Sequence, residues 1–235
     1  PPDLTFSPSN WRQLYWMSDQ GLRRLDMGNN SISAVLASNV AGFTFDGNRM
    51  LYVSHAEPTP SLWVLDANGE TKRLADNLPV SQTYNLDFAH YIRTPMLAVV
   101  AVDSRKTLLY RNLYHSPRPI ELPAVAASAV FNGDGRFLLQ FDESHSATYD
   151  LQENTTYSLP PSVNAASGVA WLGNFHLLSN QSGSIMLSEY DGNYLNTLTK
   201  GGVLPAFVSG DTRSVIVASP NAAGAIHIRR VIIRE

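Results

Sequence analysis

The sequence predicts an all-β fold, a six-bladed β-propeller with mostly four antiparallel strands per blade and a last blade with room for three. Three observations predict it. An aromatic-led segment recurs six times, apolar residues alternate with polar ones at a period near two, and turns rich in Gly, Asn and Asp separate the apolar stretches. The anchors are Phe6, Phe45, Phe88, Phe131, Trp171 and Phe207, spaced 39, 43, 43, 40 and 36 residues apart. A period of about 40 residues is the length of one four-stranded blade.

The elements follow in order within each unit. The anchor segments FSPSNWRQLYWMSD, FDGNRMLYVSH, FAHYIRTPMLAVVAVD, FNGDGRFLLQFDE, WLGNFHLLSN and FVSGDTRSVIVASP each carry a polar turn and an apolar second strand. A third strand follows in GLRRLDM, SLWVLDA, TLLYRNLY, SATYDL, SIMLSEY and AIHIRRVI. The turns DMGNN, DANGE, DLQEN and DGN then supply Gly and Asn, which enter positive φ with little steric penalty. A fourth strand closes five units, in ISAVLAS, TKRLADNL, RPIELPA, TTYSLPP and YLNTLTK. The sixth unit stops 28 residues past Phe207, enough for three strands. Leu4 to Phe6 reads as the first strand of blade one, so the missing outer strand comes from residues ahead of Pro1 or the last blade is three-stranded. The expected blades span 3–40, 41–80, 81–125, 126–163, 164–202 and 203–235 of one domain covering 1–235. No segment carries a helical period.

Composition narrows the function classes. The hydrophobic fraction of 44% and charged fraction of 16% belong to a chain that buries a core. A net charge of −3, with no basic run longer than Arg23-Arg24 or Arg229-Arg230, argues against a nucleic-acid groove or a membrane-surface patch. No apolar run is long enough to span a bilayer, so no membrane insertion by this segment is expected. The absence of cysteine excludes disulfides, thiolate metal sites and cysteine nucleophiles. The start at Pro1 reads as a piece of something longer.

FSPSNWRQLYWMSDQGLRRLDM and FNGDGRFLLQFDE resemble the F-S-P-D-G-x-x-L units of TolB-like and WD-type propellers. Phe45 opens FDGN, Phe88 opens FAHY and Trp171 replaces Phe; WD and Gly-His pairs are missing. The ending SEYDGNYLNTLTKGGVLPAFVSGDTRSVIVAS is similar to propellers of bacterial surface proteins, in some of which a membrane-spanning helix and a PEGA domain precede the propeller. That resemblance implies an extracytoplasmic module, tethered by a segment outside this chain. It implies a binding role with a protein or a cell-surface polymer as partner, not a catalyst.

Function on such a fold is expected at one mouth, in the loops from second to third strand and from blade to blade. Those loops offer Asp19, Gln20, His55, Glu57, Asp103, Arg105, Asp142, Glu143, His145, Asn180, Gln181 and Asn221, with Gln82, Tyr84, Asn85 and glycines 168, 201 and 202 between blades. The binding candidates are Asp19, His55, Glu57, Tyr84, Asp103, Arg105, Asp142 and His145. Asp19, Glu57, Asp103 and Asp142 together are the residue types for a calcium site, the feature a calcium-dependent six-bladed hydrolase or lactonase would need. The plainer reading is that turns favour Asp and Asn for their own sake. His55 and His145 occupy equivalent places in blades two and four. The sequence has no G-x-S-x-G elbow and no phosphate-binding glycine loop, so no catalytic residue and no resident cofactor other than calcium is expected. Among the aromatics, Trp16 and Trp63 are expected to fill the wedge between blades. Trp11 is expected to sit in a turn, and Tyr15, Tyr110 and Tyr114 at strand positions as further binding leads.

Overall fold

The computed structural model describes residues 4–115, 117–163, 168–181, 183–200, 203–208, 214–220 and 226–233. Among them are 23 strands and no helix, in six antiparallel sheets whose strands pair in chain order. Blade one is β1 (Leu4–Ser7), β2 (Asn10–Ser18), β3 (Gly21–Asp26) and β4 (Ser31–Ile32). Blade two is β5 (Val40–Asp46), β6 (Arg49–Ser54), β7 (Ser61–Leu65) and β8 (Thr71–Ala75). Blade three is β9 (Tyr84–Tyr91), β10 (Thr94–Ala101), β11 (Lys106–Arg111) and β12 (Arg118–Glu121). Blade four is β13 (Ser128–Phe131), β14 (Phe137–Phe141), β15 (Ser146–Asp150) and β16 (Thr155–Ser158). Blade five is β17 (Val169–Leu172), β18 (His176–Gln181), β19 (Ser184–Glu189) and β20 (Asn196–Lys200). Blade six has three strands, β21 (Val203–Val208), β22 (Ser214–Pro220) and β23 (Ile226–Ile232). These are the blades of a six-bladed β-propeller. They fall into two compact units, 1–122 and 123–235, with three blades in each.

The hairpins form where the turn chemistry asks for them. Asn30 and Asn154 adopt positive φ (52° and 53°), as do Gly69 and Gly192. The outer strand of blade three contains Pro119, which an edge strand tolerates because its missing N–H faces away from the ladder. Blade one departs from expectation: of ISAVLAS, only Ser31 and Ile32 form β4. The Ser33 hydroxyl takes the Arg24 N–H at 3.0 Å and donates to the Ala34 carbonyl at 2.6 Å, substituting for a ladder bond. Beyond β4 the chain keeps to β3 through the Ser33 and Leu36 amides, which donate to the Arg24 and Leu22 carbonyls at 2.9 Å, and an isolated Leu22–Ala37 bridge. Trp11, expected in a turn, lies in β2 and is exposed.

The middle strands β6, β10, β14 and β15 are buried on both faces, not on alternate positions. In β10 every residue from Met96 to Ala101 is buried. In the 1–122 unit Leu51, Val53, Leu62 and Val64 of blade two meet Leu97, Val99 and Tyr110 of blade three. Tyr110 is therefore core, not a binding lead, and Tyr15 is buried with Leu22 and Met50. In the 123–235 unit Leu172 and Ile185 meet Val215 and Val217. Two of the anchors sit on these seams: the Phe45 ring is 5.0 Å from that of Tyr15, and the Trp171 indole N–H donates to the Val130 carbonyl at 2.9 Å, whereas Phe6 is largely exposed.

Polar ties cross the seams too. The Tyr114 hydroxyl donates to Asp46 at 2.6 Å, with the Arg49 guanidinium over its ring. Burial first, and then that bond, push the Tyr114 phenol well above its ordinary value. In blade four, Asp150 is enclosed. Burial pulls its carboxyl up, but bonds from Arg136 at 2.7 Å and 3.2 Å and from the Gln152 and Glu153 amides outweigh it and hold it below the usual carboxylate range.

Two predictions follow from this packing. A Cβ on Gly42 would lie 2.1 Å from the Tyr84 carbonyl oxygen, where blades two and three approach most closely. Gly42→Ala should therefore cost about 1–3 kcal/mol, read as a fall in Tm of roughly 2–12 °C; an unchanged melt would remove that contact from the account. Because the Asp150 carboxyl titrates low, its stabilising contribution is complete above pH of about 4 and is lost as pH falls through the folded-state value. The stability gap between the natural protein and Asp150→Asn should narrow on acidification in denaturant titrations from neutral pH downward; a constant gap would contradict it.

Candidate functional site

The loops between second and third strands place most of the candidate side chains, and most are occupied with holding those loops. In blade three the Asp103 carboxylate accepts from the Gln82 amide at 2.6 Å and the Ser81 hydroxyl at 3.1 Å, while its own amide donates back to Ser81 Oγ at 2.9 Å. Asp103 thus clamps the β10–β11 loop to the loop entering blade three. Tyr84, expected as a loop residue, is the buried first residue of β9, and its hydroxyl donates to the Pro79 carbonyl at 2.5 Å. His55 is exposed with its ring edge-on to Tyr84, 5.8 Å between centroids. Arg105 completes the same loop in a left-handed conformation, φ 54°. His55, Tyr84 and Asp103 are therefore gathered at one end of blades two and three.

Glu57 turns elsewhere. It pairs with Arg73 at 2.7 Å, and Asp76 pairs with the same nitrogen at 2.8 Å. Asp19 is exposed and has no side-chain partner among the described residues. Asn180 and Gln181 belong to β18, not to a loop. Asn221, Gly201 and Gly202 lie outside the described residues.

Blade four holds the most enclosed candidate. Asp142 is buried, and one carboxylate oxygen accepts from the Ser144 amide (2.7 Å), the His145 amide (2.8 Å) and the Ser144 hydroxyl (3.0 Å). This is a self-capped turn. His145 Nδ1 lies 2.7 Å from Ser144 Oγ and 3.6 Å from Asp142, with its side chain 80% exposed. A catalytic triad needs the histidine between the other two members, bonded through opposite ring nitrogens. Here Ser144 and Asp142 face the same nitrogen, so no relay runs through the ring. Among the described residues, no three His, Cys, Asp or Glu side chains are placed to hold one metal ion.

Beside this turn opens a cleft of about 320 Å³. Its walls are Ala124 and Val125 from the loop entering blade four, Ser144 to Ala147, and Ser158 to Pro161 with Val163 beyond β16. The Ser146 hydroxyl donates to the Val163 carbonyl at 2.5 Å, which fixes the far wall to β15. Apolar groups dominate the lining. Sequence reasoning located the loop residue His145 but missed the apolar walls; the Leu159-Pro160-Pro161 run after β16 is the signal that marks them.

No protein-family model matches the chain, and no curated protein matches it in sequence. Solved structures match the fold. A chain of the mitotic checkpoint complex is 15% identical with a TM-score of 0.66, covering 96% of this chain and 72% of that one. A putative 6-phosphogluconolactonase from Bacteroides uniformis is 9% identical with a TM-score of 0.58, covering 97% and 84%. TolB from Acinetobacter baumannii is 14% identical with a TM-score of 0.53, covering 85% of this chain and 54% of its own. At such identities the likeness establishes the β-propeller fold, TolB-like and WD-like as the sequence expected, and nothing of the chemistry. No helix among the described residues is long and apolar enough to cross a membrane.

Asp142→Ala removes the shared acceptor and leaves two backbone N–H groups unpaired, so it should destabilise by about 1–3 kcal/mol. Asp142→Asn keeps an acceptor oxygen and should lose clearly less. Chemical denaturation of both variants checks this, and equal losses would make the charge, not the turn, the reason for an aspartate here.

Proposed function

We propose that the protein is a non-catalytic binding module that docks a partner, a protein or a surface polymer, through the blade-four cleft. The observation that carries the reading is a preformed, mostly apolar cleft on rigid strand ends, next to a buried carboxylate whose turn engages it. Val125, Leu159, Pro160 and Pro161 suit an apolar anchor, while Ser144 and the exposed His145 supply orienting polar groups at the rim. The fold leaves the choice open, since propellers host many functions and one solved neighbour is a putative lactonase. The location that goes with the reading is extracytoplasmic, as the resemblance to bacterial surface propellers implies.

The competing class is a calcium-dependent hydrolase. A ligand bound only by the folded state raises its melting temperature. The binding-module reading expects the melt to be unchanged between millimolar calcium and EDTA, and no turnover on a panel of lactones. A calcium-dependent rise of several degrees, together with lactone hydrolysis that Asp103→Ala or Asp142→Ala abolishes, would replace it. Val125→Arg should block the cleft without lowering the melting temperature, and whatever partner the natural protein retains from its source should no longer be retained.

A further inference from the structure

The 1–122 unit contains a second cavity, of about 450 Å³, walled by residues 35–38 on one side and by Tyr52, Ser54, Trp63 and Thr71 of blade two on the other. The segment after β4 stays on β3 through backbone bonds at Ser33, Leu36 and Ala37, and the cross-strand pair Tyr52–Trp63 faces residues 35–38 across the cavity. The volume is that of a small-ligand site, for which about 300–1,000 Å³ is usual.

Its polar groups are arranged unequally. Tyr52 is only 5% exposed, and its hydroxyl makes no hydrogen bond among the described residues. Nor is that hydroxyl one of the fully enclosed unpaired oxygens, which belong to Gln140, Thr107, Thr148, Ser179 and Ser188. It therefore reaches the cavity as an unused donor and acceptor. Trp63 is half-buried in the same wall, its N–H already donated to Ser61 Oγ at 3.0 Å. The Arg73 guanidinium stands over the indole, 5.1 Å from the ring centroid, and its charge is met by Glu57 and Asp76.

These features select among ligand classes. An anion would find no Lys or Arg in the lining, and Arg73, which stands over Trp63, is already paired with two carboxylates. A purely apolar ligand would strand the Tyr52 hydroxyl against a dry surface, an unfavourable exchange. A neutral ring with one C–H face and a rim of hydroxyls suits this lining: the C–H face for the indole edge of Trp63 and the aliphatic side chains of Val35 and Leu36, and hydroxyls for Tyr52 and Thr71. We propose that this cavity is a carbohydrate site, taking a neutral pyranose unit of an oligosaccharide. The site is separate from the blade-four cleft and stands whether or not that cleft binds a partner.

The test uses the full chain on an array of immobilised neutral oligosaccharides with gluco, galacto, manno and N-acetylated pyranoses, followed by calorimetry on the sugars retained. The natural protein should bind at least one class, with affinity unchanged at high salt because no ion pair is formed. Trp63→Ala should weaken binding by about tenfold or more, and Tyr52→Phe by roughly three- to tenfold through loss of one hydrogen bond. Trp63→Phe keeps an aromatic face and should retain most of the affinity, which preserves the test should Trp63→Ala fail to fold. Val125→Arg should bind sugar normally. An array on which nothing is retained, equal binding by the Tyr52 and Trp63 variants, or binding abolished by salt would each overturn the proposal.

Discussion

The constraint on which the rest of this structure depends is that a sheet apolar on both faces needs a neighbour on each side. Strand β10 is buried from Met96 through Ala101, a pattern that no isolated sheet can sustain in water. Blades two and three meet so closely that the backbone of β5 has a glycine, Gly42, where any side chain would strike the Tyr84 carbonyl. Two of the aromatic anchors serve the same seams. Phe45 packs against Tyr15 of the preceding blade, and Trp171 adds a hydrogen bond to the Val130 carbonyl. In the 123–235 unit the Asn132 amide reaches the Asn174 carbonyl at 2.7 Å while its oxygen receives the Phe137 N–H at 3.0 Å. In blades two and five the recurring segment is therefore a seam device.

Loop aspartates in this protein work mainly as acceptors for backbone donors. Asp103, Asp142 and Asp150 each receive backbone N–H groups, and two of them also take a serine hydroxyl. A carboxylate satisfied this way holds its turn in place. Glu57 is committed differently, to Arg73 beside Trp63.

Both cavities form where a polar or irregular segment replaces regular strand pairing. In blade one the irregular segment 35–38 that follows β4 faces Tyr52 and Trp63 across the cavity. In blade four the Pro160-Pro161 pair, which cannot donate to a ladder, ends the outer strand and walls the cleft beside Ser144 and His145. The chemistry of the two differs as their linings do. One is mainly aliphatic, and the other joins an indole and a free phenol with a neutralised ion cluster.

By itself the sequence determined the blade count, the antiparallel pairing in chain order and the turns; it left open whether the last blade has three strands or takes a fourth from elsewhere. Each rests on local signals: spacing of aromatics, alternation, and residues that accept positive φ. It also pointed to the loops bearing Asp103, Asp142 and His145. Tertiary structure alone decided what those residues touch. Ser81 and Asp103 are 22 residues apart, and Tyr52 meets Trp63 only because β6 pairs with β7 in one register. The burial of Tyr110, the truncation of β4 and the enclosure of Asp142 likewise depend on neighbours distant in sequence. Periodicity reports which face of a strand is apolar; it carries no information on which side chain from another strand will stand opposite, and at that distance the sites of this protein are made.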